Sequence, residues 1–583
     1  MNEPNATIVT GASWTGSTLE LKVAREAVPA FLRKAHQLAQ SGQMEEACAL
    51  LDQEGLARVR HLGEQDPALA DVLDLMVGNI FAQAERAQDA IYWLKRTAAR
   101  SPSILVLDLL AGALQGSGHF TEALAHRRQA LALEPQNPTL RGGYAADLIM
   151  VGRVAEGIEQ LEALIDSGAD CCMAHSALLW FLHYVPDQDL QAVKEAHLSW
   201  GARYAPPTLA RHAHDRDRRV DRRLRVGYIS ADFRRHSVAY NFEPFLAGRD
   251  SAATEVFGYA NVARPDEVTL RLQRRFDHYR SIYGVEDGVV AEWIERDKID
   301  VLVHLGGHTA GHRLGLMAYR PAPVQVDYGG GTCGMSQIDY RLTDALLDPV
   351  EAQTYYIERL AYLPGGLFCF FPPHAAPPVG PLPLKQKGYV TFGSFNHHNK
   401  INGRVLALWV QILKQSKEGH LIIKNLGCTD PEIRAQYRRY FKRQNIGDDR
   451  IHLYGLLSDH DHLDLYNQID IALDTFPFNG CVTTLEALWM GVPVVTLTGD
   501  TWVSRAGLSI LKRLGLEFFA TTDPHFYAAK VYALSKKEEA LATLRVGMRE
   551  RMLGSPLCDA QRLAREAEAC YRHMWHKWCS AKG

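Results

Sequence analysis

The sequence predicts two architectures in tandem, an all-α solenoid of helical repeats followed by two doubly wound α/β lobes. Three observations carry this reading. Small and apolar residues return in a fixed register before residue 205, short β-branched runs alternate with helical stretches after residue 224, and a proline-rich span divides the second half near residue 385. The 583 residues also exceed what one core supports, since domains average roughly 150 residues.

Residues 1–27 form an N-terminal segment whose opening, MNEPNATIVTGASW, has neither a charged n-region nor an apolar h-region. No apolar run approaches the roughly 18 residues of a membrane span. A cytoplasmic location without membrane attachment is therefore expected.

The repeats occupy 28–205. In ILVLDLLAGALQGSGHFTEALAHRRQALALEP (104–135), Leu107, Leu110, Ala111, Leu114, Gly118, Ala123, Ala130 and Pro135 fit the 34-residue tetratricopeptide (TPR) register. Small residues let two antiparallel helices approach, and the glycine turns the chain between them. The register recurs with Gly78, Phe81, Ala90 and Pro102, with Ala145, Leu148 and Gly152, and with Phe31, Ala35, Gly42 and Ala47. Segment 171–200 also reads helical and is expected to cap the stack. Helical solenoids commonly bind extended peptides on a concave face, so this half is expected to recognise a protein partner.

Residues 206–223 form a basic linker, and RHAHDRDRRVDRRLR (211–225) reads as a solvated run. A formal net charge of −3 argues against a nucleic-acid surface. The ten cysteines never form CxxC, so reduced thiols are expected. Strands are predicted at 224–230, 254–260, 300–306, 323–328, 389–394, 420–426, 450–455, 469–474 and 492–497. They divide between lobes at 224–384 and 385–583, with the last helices packing back on the first lobe. The boundary, FPPHAAPPVGPLPLKQKG (371–388), is expected to be neither sheet core nor helix.

Ligands of such sheets bind at the carboxyl ends of strands. There lie ADFRRHSVAY (231–240), GGHTAGHR (306–313), GGGTCG (329–334), FNHHNK (395–400), LLSDHDH (456–462) and DTFPFNGCVTT (474–484). Their polar, glycine- and histidine-rich character suggests a cleft between the lobes. GGGTCG matches G-x-G-x-x-G but lacks the following helical pattern and the acidic residue of a dinucleotide site. His304, His308 and His312 recur every fourth residue, yet Gly306, Gly307 and Gly311 argue against a helix that would align metal ligands; they read as a loop lining a polar cleft. Asp459 and Asp461 form a D-x-D that reads as a solvated loop.

Lys400 ends FNHHNK, where it is either a surface lysine or an ammonium that neutralises a diphosphate. Thr483 and Glu486 have the spacing of a capping box, while a helix start at Thr483 and Thr484 also suits a phosphate.

RVGYISADFRRHS, VLVHLGGHTAGHR, YRPAPVQV, MSQIDYRLTD, VTFGSFNHHNKI and DTFPFNGCVTTLEALWMGVPVVTLTGD, following TPR units, resemble the O-linked N-acetylglucosamine transferase / SPINDLY family, most closely its bacterial TPR-containing members. The resemblance covers nearly the whole chain. It implies a GT-B glycosyltransferase of two Rossmann-like lobes, binding a nucleotide sugar mainly on the second lobe and passing the sugar to a Ser or Thr hydroxyl of a protein held by the TPR region and the inter-lobe cleft. It implies no catalytic metal and no cofactor beyond the donor, expected to be UDP-N-acetylglucosamine.

By motif match, Lys400 neutralises the leaving diphosphate. His397 sits by the nucleoside, His462 lies against the base, Val482, Thr483 and Thr484 meet the β-phosphate, and Glu486 accepts from the ribose hydroxyls. His236 is the implied active-site histidine of the first lobe, acting as base or as positioning group. Asp232, His308, Thr309 and Arg320 are the supporting candidates.

Two departures stand out. VDYGGGTCG replaces a W-L-G-Y-P-G-T-type loop, and Cys481 and Val482 stand where His and Thr are frequent. They leave GDP-fucose or a flagellin-type sugar as alternative donors, and a non-catalytic TPR adaptor as the alternative function.

Overall fold

The computed structural model describes residues 28–581 apart from 42, 85, 211–213 and 374–375. The 1–27 segment and Gly42 of the first repeat lie outside the described residues. The chain divides into two compact units. One comprises the helices up to Ala174 with Leu426–Gln436, the other His175–Asn425 and the chain from Tyr437.

The first unit is a run of antiparallel helix pairs. Ile104–Gly116 turns into Phe120–Leu133 through Gly118, and Pro138–Met150 into Val154–Asp166 through Gly152. Both glycines have positive φ, 82° and 86°, the left-handed conformation that favours a residue without Cβ. Ala90, Ala111, Ala123, Ala130 and Ala145 are fully buried where helices meet. Inside this unit Arg127 pairs with Asp147 at 3.0 Å and with Asp108.

The helices Cys172–Leu182 and Leu190–Tyr204 differ from the expected cap. From His175 onward they belong to the second unit. The reason is visible at Gly201, where an added Cβ would lie 1.8 Å from the Gly334 carbonyl oxygen, so helix and loop backbones touch directly. Ser176 reaches the same lobe, hydrogen-bonded to His312 at 2.8 Å.

That unit carries two parallel sheets. The first contains β1 (Leu224–Ser230), β2 (Thr254–Ala260), β3 (His278–Ser281), β4 (Val301–Leu305), β5 (Val324–Tyr328), β6 (Tyr340–Thr343) and β7 (Arg359–Tyr362), in the order 3-2-1-4-5-6-7. The second contains β8 (Thr391–Ser394), β9 (His420–Lys424), β10 (Ile451–Tyr454), β11 (Ile471–Leu473), β12 (Val494–Leu497) and β13 (Ala520–Thr521), in the order 10-9-8-11-12-13. β1, β4, β5, β8, β11 and β12 are almost wholly buried, as central parallel strands require. β3 and β7 are polar edge strands, and neither they nor β6 and β13 stand out as apolar runs.

Two further expectations are corrected. The proline-rich span holds a short helix, Pro383–Lys387, with Pro383 in its first turn and Gly388 as its left-handed C-cap, the two ends where these residues are tolerated. The basic linker is not wholly solvated. Arg222 makes two 2.6 Å bonds to the buried Asp300 and stacks on Trp575. Trp575 belongs to the C-terminal helix Ala560–Ser580, which packs on helix Ser237–Gly248 of the first lobe.

Candidate active site

Strand order reverses between β1 and β4 in one sheet and between β8 and β11 in the other. A crevice opens at the carboxyl ends of strands at such a switch point. The loops leaving these four strands carry Asp232 and His236, His308 and Thr309, His397 and Lys400, and the DTFPFNGCVTT segment.

In the second lobe the DTFPFN loop is built around Asp474. Its buried carboxylate accepts from Gly480 N–H at 2.7 Å, Thr475 N–H at 2.9 Å and Thr496 Oγ1 at 2.7 Å, and burial raises its pKa to about 6. Asn479 ties the same loop to the carbonyls of Thr475 and Leu497. The shaped loop holds Lys400, whose Nζ donates to the Asn479 carbonyl at 3.2 Å and lies 4.1 Å from the Phe478 ring centroid. Lys400 is thus a positioned ammonium, oriented by a carbonyl and an aromatic face. His397 precedes the short 3-10 turn His398–Lys400 and contacts Asn399.

The helix Val482–Trp489 starts two residues after Gly480, and the side chain of its N-cap residue makes no capping hydrogen bond among the described residues. The capping-box expectation is therefore overturned: Cys481 takes the N-cap position, which leaves Thr483 and Glu486 inside the helix. Thr483 Oγ1 donates to Asn396 Oδ1 at 3.1 Å, and Thr484 Oγ1 to the Gly480 carbonyl at 3.0 Å. Gly480 has to be small, since a Cβ there would meet Thr483 Oγ1 at 2.5 Å. Glu486 turns away from the helix start toward His462, its Oε2 3.0 Å from His462 Nε2. Both are buried, at 1% and 2% exposure, and burial lowers the His462 pKa. Glu486 Oε1 and His462 Nδ1 have no hydrogen-bond partner among the described residues. The ring of His462 packs against both Phe395 and Tyr466, which also contact each other.

In the first lobe His236 is the N-cap of Ser237–Gly248, its Nδ1 accepting from Val238 N–H at 3.2 Å. Asp232 Oδ2 lies 3.5 Å from that nitrogen and 3.5 Å from Thr309 Oγ1. The lobes meet beside it: Arg235 pairs with Asp459 at 3.1 Å, and Cys481 Sγ lies 3.9 Å from Asn241 Oδ1. The D-x-D is not a loop. Asp459 and Asp461 form the first turn of Asp459–Leu465, with Ser458 as N-cap.

Two supporting candidates stand apart from this cleft. Arg320 lies before β5 and binds Asp339, the residue before β6, at 2.8 Å. That is the amino edge of the sheet, where Arg320 closes a turn. His308 is buried between Ser176 Oγ and the Cys333 carbonyl, both at 3.2 Å, and its ring packs edge-on against Trp200. His304 bonds Asp327 at 3.2 Å inside the sheet. The three histidines therefore sit beneath helices Cys172–Leu182 and Leu190–Tyr204 and in the core, rather than lining a polar cleft. Burial pushes the pKa of His312 down to about 3 and that of His308 well below its ordinary value. The GGGTCG loop packs under the same helices, with Thr332 and Cys333 N–H bound to the buried Glu358.

Sequence reasoning missed Asn396, Asp474, Phe478 and Asn479 as shaping residues. All four lie inside motifs already singled out, but only the fold shows that they orient Lys400 and Thr483.

A family model, Glycosyl transferase family 41, matches residues 207–374 and 383–567. The probable UDP-N-acetylglucosamine–peptide N-acetylglucosaminyltransferase SPINDLY of Solanum lycopersicum is 37% identical over 405 residues, 68% of this chain and 44% of that protein. Its counterpart in Arabidopsis thaliana is 37% identical over 395 residues, 67% of this chain and 43% of that protein. The chain spans less than half the length of these curated relatives. A solved mutant of Thermobaculum terrenum O-GlcNAc transferase superposes with a TM-score of 0.82 at 33% identity, covering 87% of this chain and 98% of that one.

Proposed function

Because the chain belongs to glycosyl transferase family 41, we propose that it is a protein O-glycosyltransferase moving N-acetylglucosamine from UDP-N-acetylglucosamine to Ser or Thr hydroxyls. The relatives' names support the donor and the peptide acceptor. In this reading the helical repeats hold the acceptor protein, and the enzyme works in the cytoplasm. Ten cysteines with no CxxC spacing suit a reducing compartment.

The observation that carries the chemistry is the convergence of Lys400 Nζ, held on the Asn479 carbonyl, with the start of Val482–Trp489. Helix N–H groups and an ammonium together form a diphosphate site. The acceptor oxygen attacks the anomeric carbon, the bond from that carbon to the diphosphate oxygen breaks, and the hydroxyl's proton passes to an oxygen of the departing diphosphate. Negative charge grows on the departing diphosphate, and donors already aimed there contribute most when charge is greatest. Val482, Thr483 and Thr484 supply the helix-start groups and Lys400 the charge. Oε1 of Glu486, buried and without a partner among the described residues, accepts from the ribose, with His397 and His462 flanking the nucleoside.

His236 takes a positioning role. With Nδ1 accepting from Val238 N–H, a neutral ring carries its proton on Nε2 and acts as a donor toward acceptor or sugar rather than as a base. Asp232 and Thr309 fix the loop.

Substituting Lys400→Ala tests the reading. Release of UDP from the donor in the presence of acceptor is expected to fall about 10²–10³-fold, and EDTA is expected to leave the wild-type rate unchanged. Full turnover by the variant would refute the role of Lys400. Calorimetry with UDP- and GDP-sugars fixes the donor, and binding of neither would favour a non-catalytic adaptor.

A further inference from the structure

The two lobes of the second unit are tied by ion pairs of opposite character on either side of the donor groups. In the second sheet the loops after β8 and β11, which carry Lys400 and the DTFPFNGCVTT segment, lie between the connections that leave β10 and β12. After β12 comes the helix Trp502–Lys512. Its Ser509 Oγ donates to Asp344 Oδ2 at 2.9 Å, and its C-cap Arg513 lies 3.2 Å from Asp344 Oδ1. Asp344 follows β6 of the first lobe, and the Asp344 and Arg513 side chains are 0% and 9% exposed. Separating them would strand a buried charge, so this side is fixed.

After β10 comes the helix Asp459–Leu465, and here the tie is Arg235. Its Nη1 donates to Asp459 Oδ1 and Oδ2 at 3.2 and 3.1 Å, with the two side chains 38% and 41% exposed. A pair this open to solvent contributes little and is screened by salt, so it can break and re-form. Its two ends are nonetheless anchored. Arg235 N–H donates to Asp266 Oδ2 at 2.6 Å and Nε to Glu267 Oε1 at 3.1 Å, which fixes the residue to the start of Glu267–Gln273 in the first lobe. Asp459 is the first residue of the helix that carries His462 one turn on, on the same face. Arg235 is followed directly by His236, the N-cap of Ser237–Gly248. The start of that helix faces the donor loop, Asn241 Oδ1 lying 3.9 Å from Cys481 Sγ. One guanidinium therefore couples the placement of His236 to the helix that bears His462.

We propose that Arg235 is a positioning residue of the transfer reaction, its pair with Asp459 being the clasp that closes the His236 loop over a nucleotide sugar held by the second lobe. The inference rests on the transferase reading and deepens it. The clasp opens to admit the donor and re-forms over it, while the Asp344 side stays shut. Arg235 acts through His236, by setting how close that ring comes to the sugar.

The test needs no acceptor. The full chain is saturated with UDP-N-acetylglucosamine, and hydrogen exchange is compared with and without donor. In the wild type, donor is expected to slow exchange at 236–241 in the first lobe as well as at 482–486 in the second. Arg235→Gln and Asp459→Asn are each expected to lose about three- to fivefold of the slowing at 236–241, the most an exposed pair contributes, while keeping it at 482–486 and keeping Tm. The double variant is expected to lose no more than either single one, because all three lack the same contact. Salt at about 1 M, where the Debye length is about 3 Å, is expected to reproduce the loss in the wild type. The two substitutions sit on different lobes, so either carries the test should the other not fold.

Full slowing at 236–241 in the folded variants, or additive losses in the double variant, overturns the clasp. So does wild-type protein that binds donor without slowing 236–241. Variants with a lowered Tm and faster exchange at 236–241 in the absence of donor would make Arg235 a structural strut and also overturn it. Wild-type protein that binds no nucleotide sugar by calorimetry overturns the transferase reading, and the clasp with it.

Discussion

Glu486 shows how one side chain can be placed for a ligand by denying it a local job. At the N-cap-plus-three position it would fold back on the helix start, but the helix begins early enough to put it two positions further in, beside His462. A buried carboxylate with one oxygen held by an imidazole and the other without a partner among the described residues is costly, and in the proposed donor complex a pair of ribose hydroxyls would supply one. Glu486→Gln tests this at constant volume. The amide oxygen can keep the His462 bond, which leaves –NH2 where an acceptor is needed. Donor Kd measured by calorimetry is expected to rise about tenfold, the worth of a hydrogen bond to a charged group, with little change in Tm. Unchanged affinity would separate Glu486 from the donor. Lys400 is expected to behave oppositely: in the proposed reaction its role is concentrated in the transition state, so Lys400→Ala is expected to lower kcat far more than donor affinity.

At the scale of elements, the contact that seats helix Leu190–Tyr204 on the GGGTCG loop has no side chains in it. Gly201 faces the Gly334 carbonyl, and Gly334, at φ 73°, has room for no Cβ because the His197 carbonyl oxygen would lie 2.0 Å away. Gly201→Ala therefore sets two effects against each other. Helix propensity favours alanine by about 1 kcal/mol, while overlap with a backbone oxygen at 1.8 Å cannot be relieved by a rotamer change and costs about 1–3 kcal/mol or more. The clash wins, so Tm is expected to fall; a rise would show that helix and loop separate freely. This contact also marks where the sequence was legible. Period and apolarity reveal a buried strand such as β4 or a repeat helix such as Ile104–Gly116, because the signal is local. They do not reveal β3, a polar edge strand, nor the bond from Ser176 to His312, which joins positions 136 residues apart. The same limit explains the site. FNHHNK and DTFPFNGCVTT stand out as motifs, but that Asn396 meets Thr483 depends on β8 and β11 being neighbours, and that Arg320 lies at the wrong edge depends on strand direction.

At the scale of the whole molecule, the two units are expected to respond differently to acid. In the second unit His183, His197, His308 and His312 are packed around Trp200, Trp502 and one another. Burial, with the nearby Arg341 adding to it at His183, lowers His183 and His312 to about 3, His197 to about 4, and His308 well below its ordinary value. A histidine whose folded pKa lies below its unfolded value of about 6.5 is neutral in both states at pH 7, so its contribution is fully present there. As pH falls below 6.5 the unfolded chain takes up protons that the folded one refuses. Stability drops by about 1.4 kcal/mol per histidine per pH unit until the folded pKa is reached. Asp470 and Asp474, raised by burial to about 6, work in the other direction, since the folded state gains protons there first, and they offset part of the loss. Asp147 in the repeat unit is likewise raised to about 6 by burial, and no comparable group of lowered histidines opposes it among the described residues of that unit. Hydrogen exchange followed from pH 7 to pH 4.5 is therefore expected to show Leu190–Tyr204 and the 306–334 loops losing protection first, while Ile104–Leu133 stays protected. Replacing the cluster's centre by His308→Gln is expected to move that loss to lower pH, and an unmoved midpoint would place the acid sensitivity elsewhere.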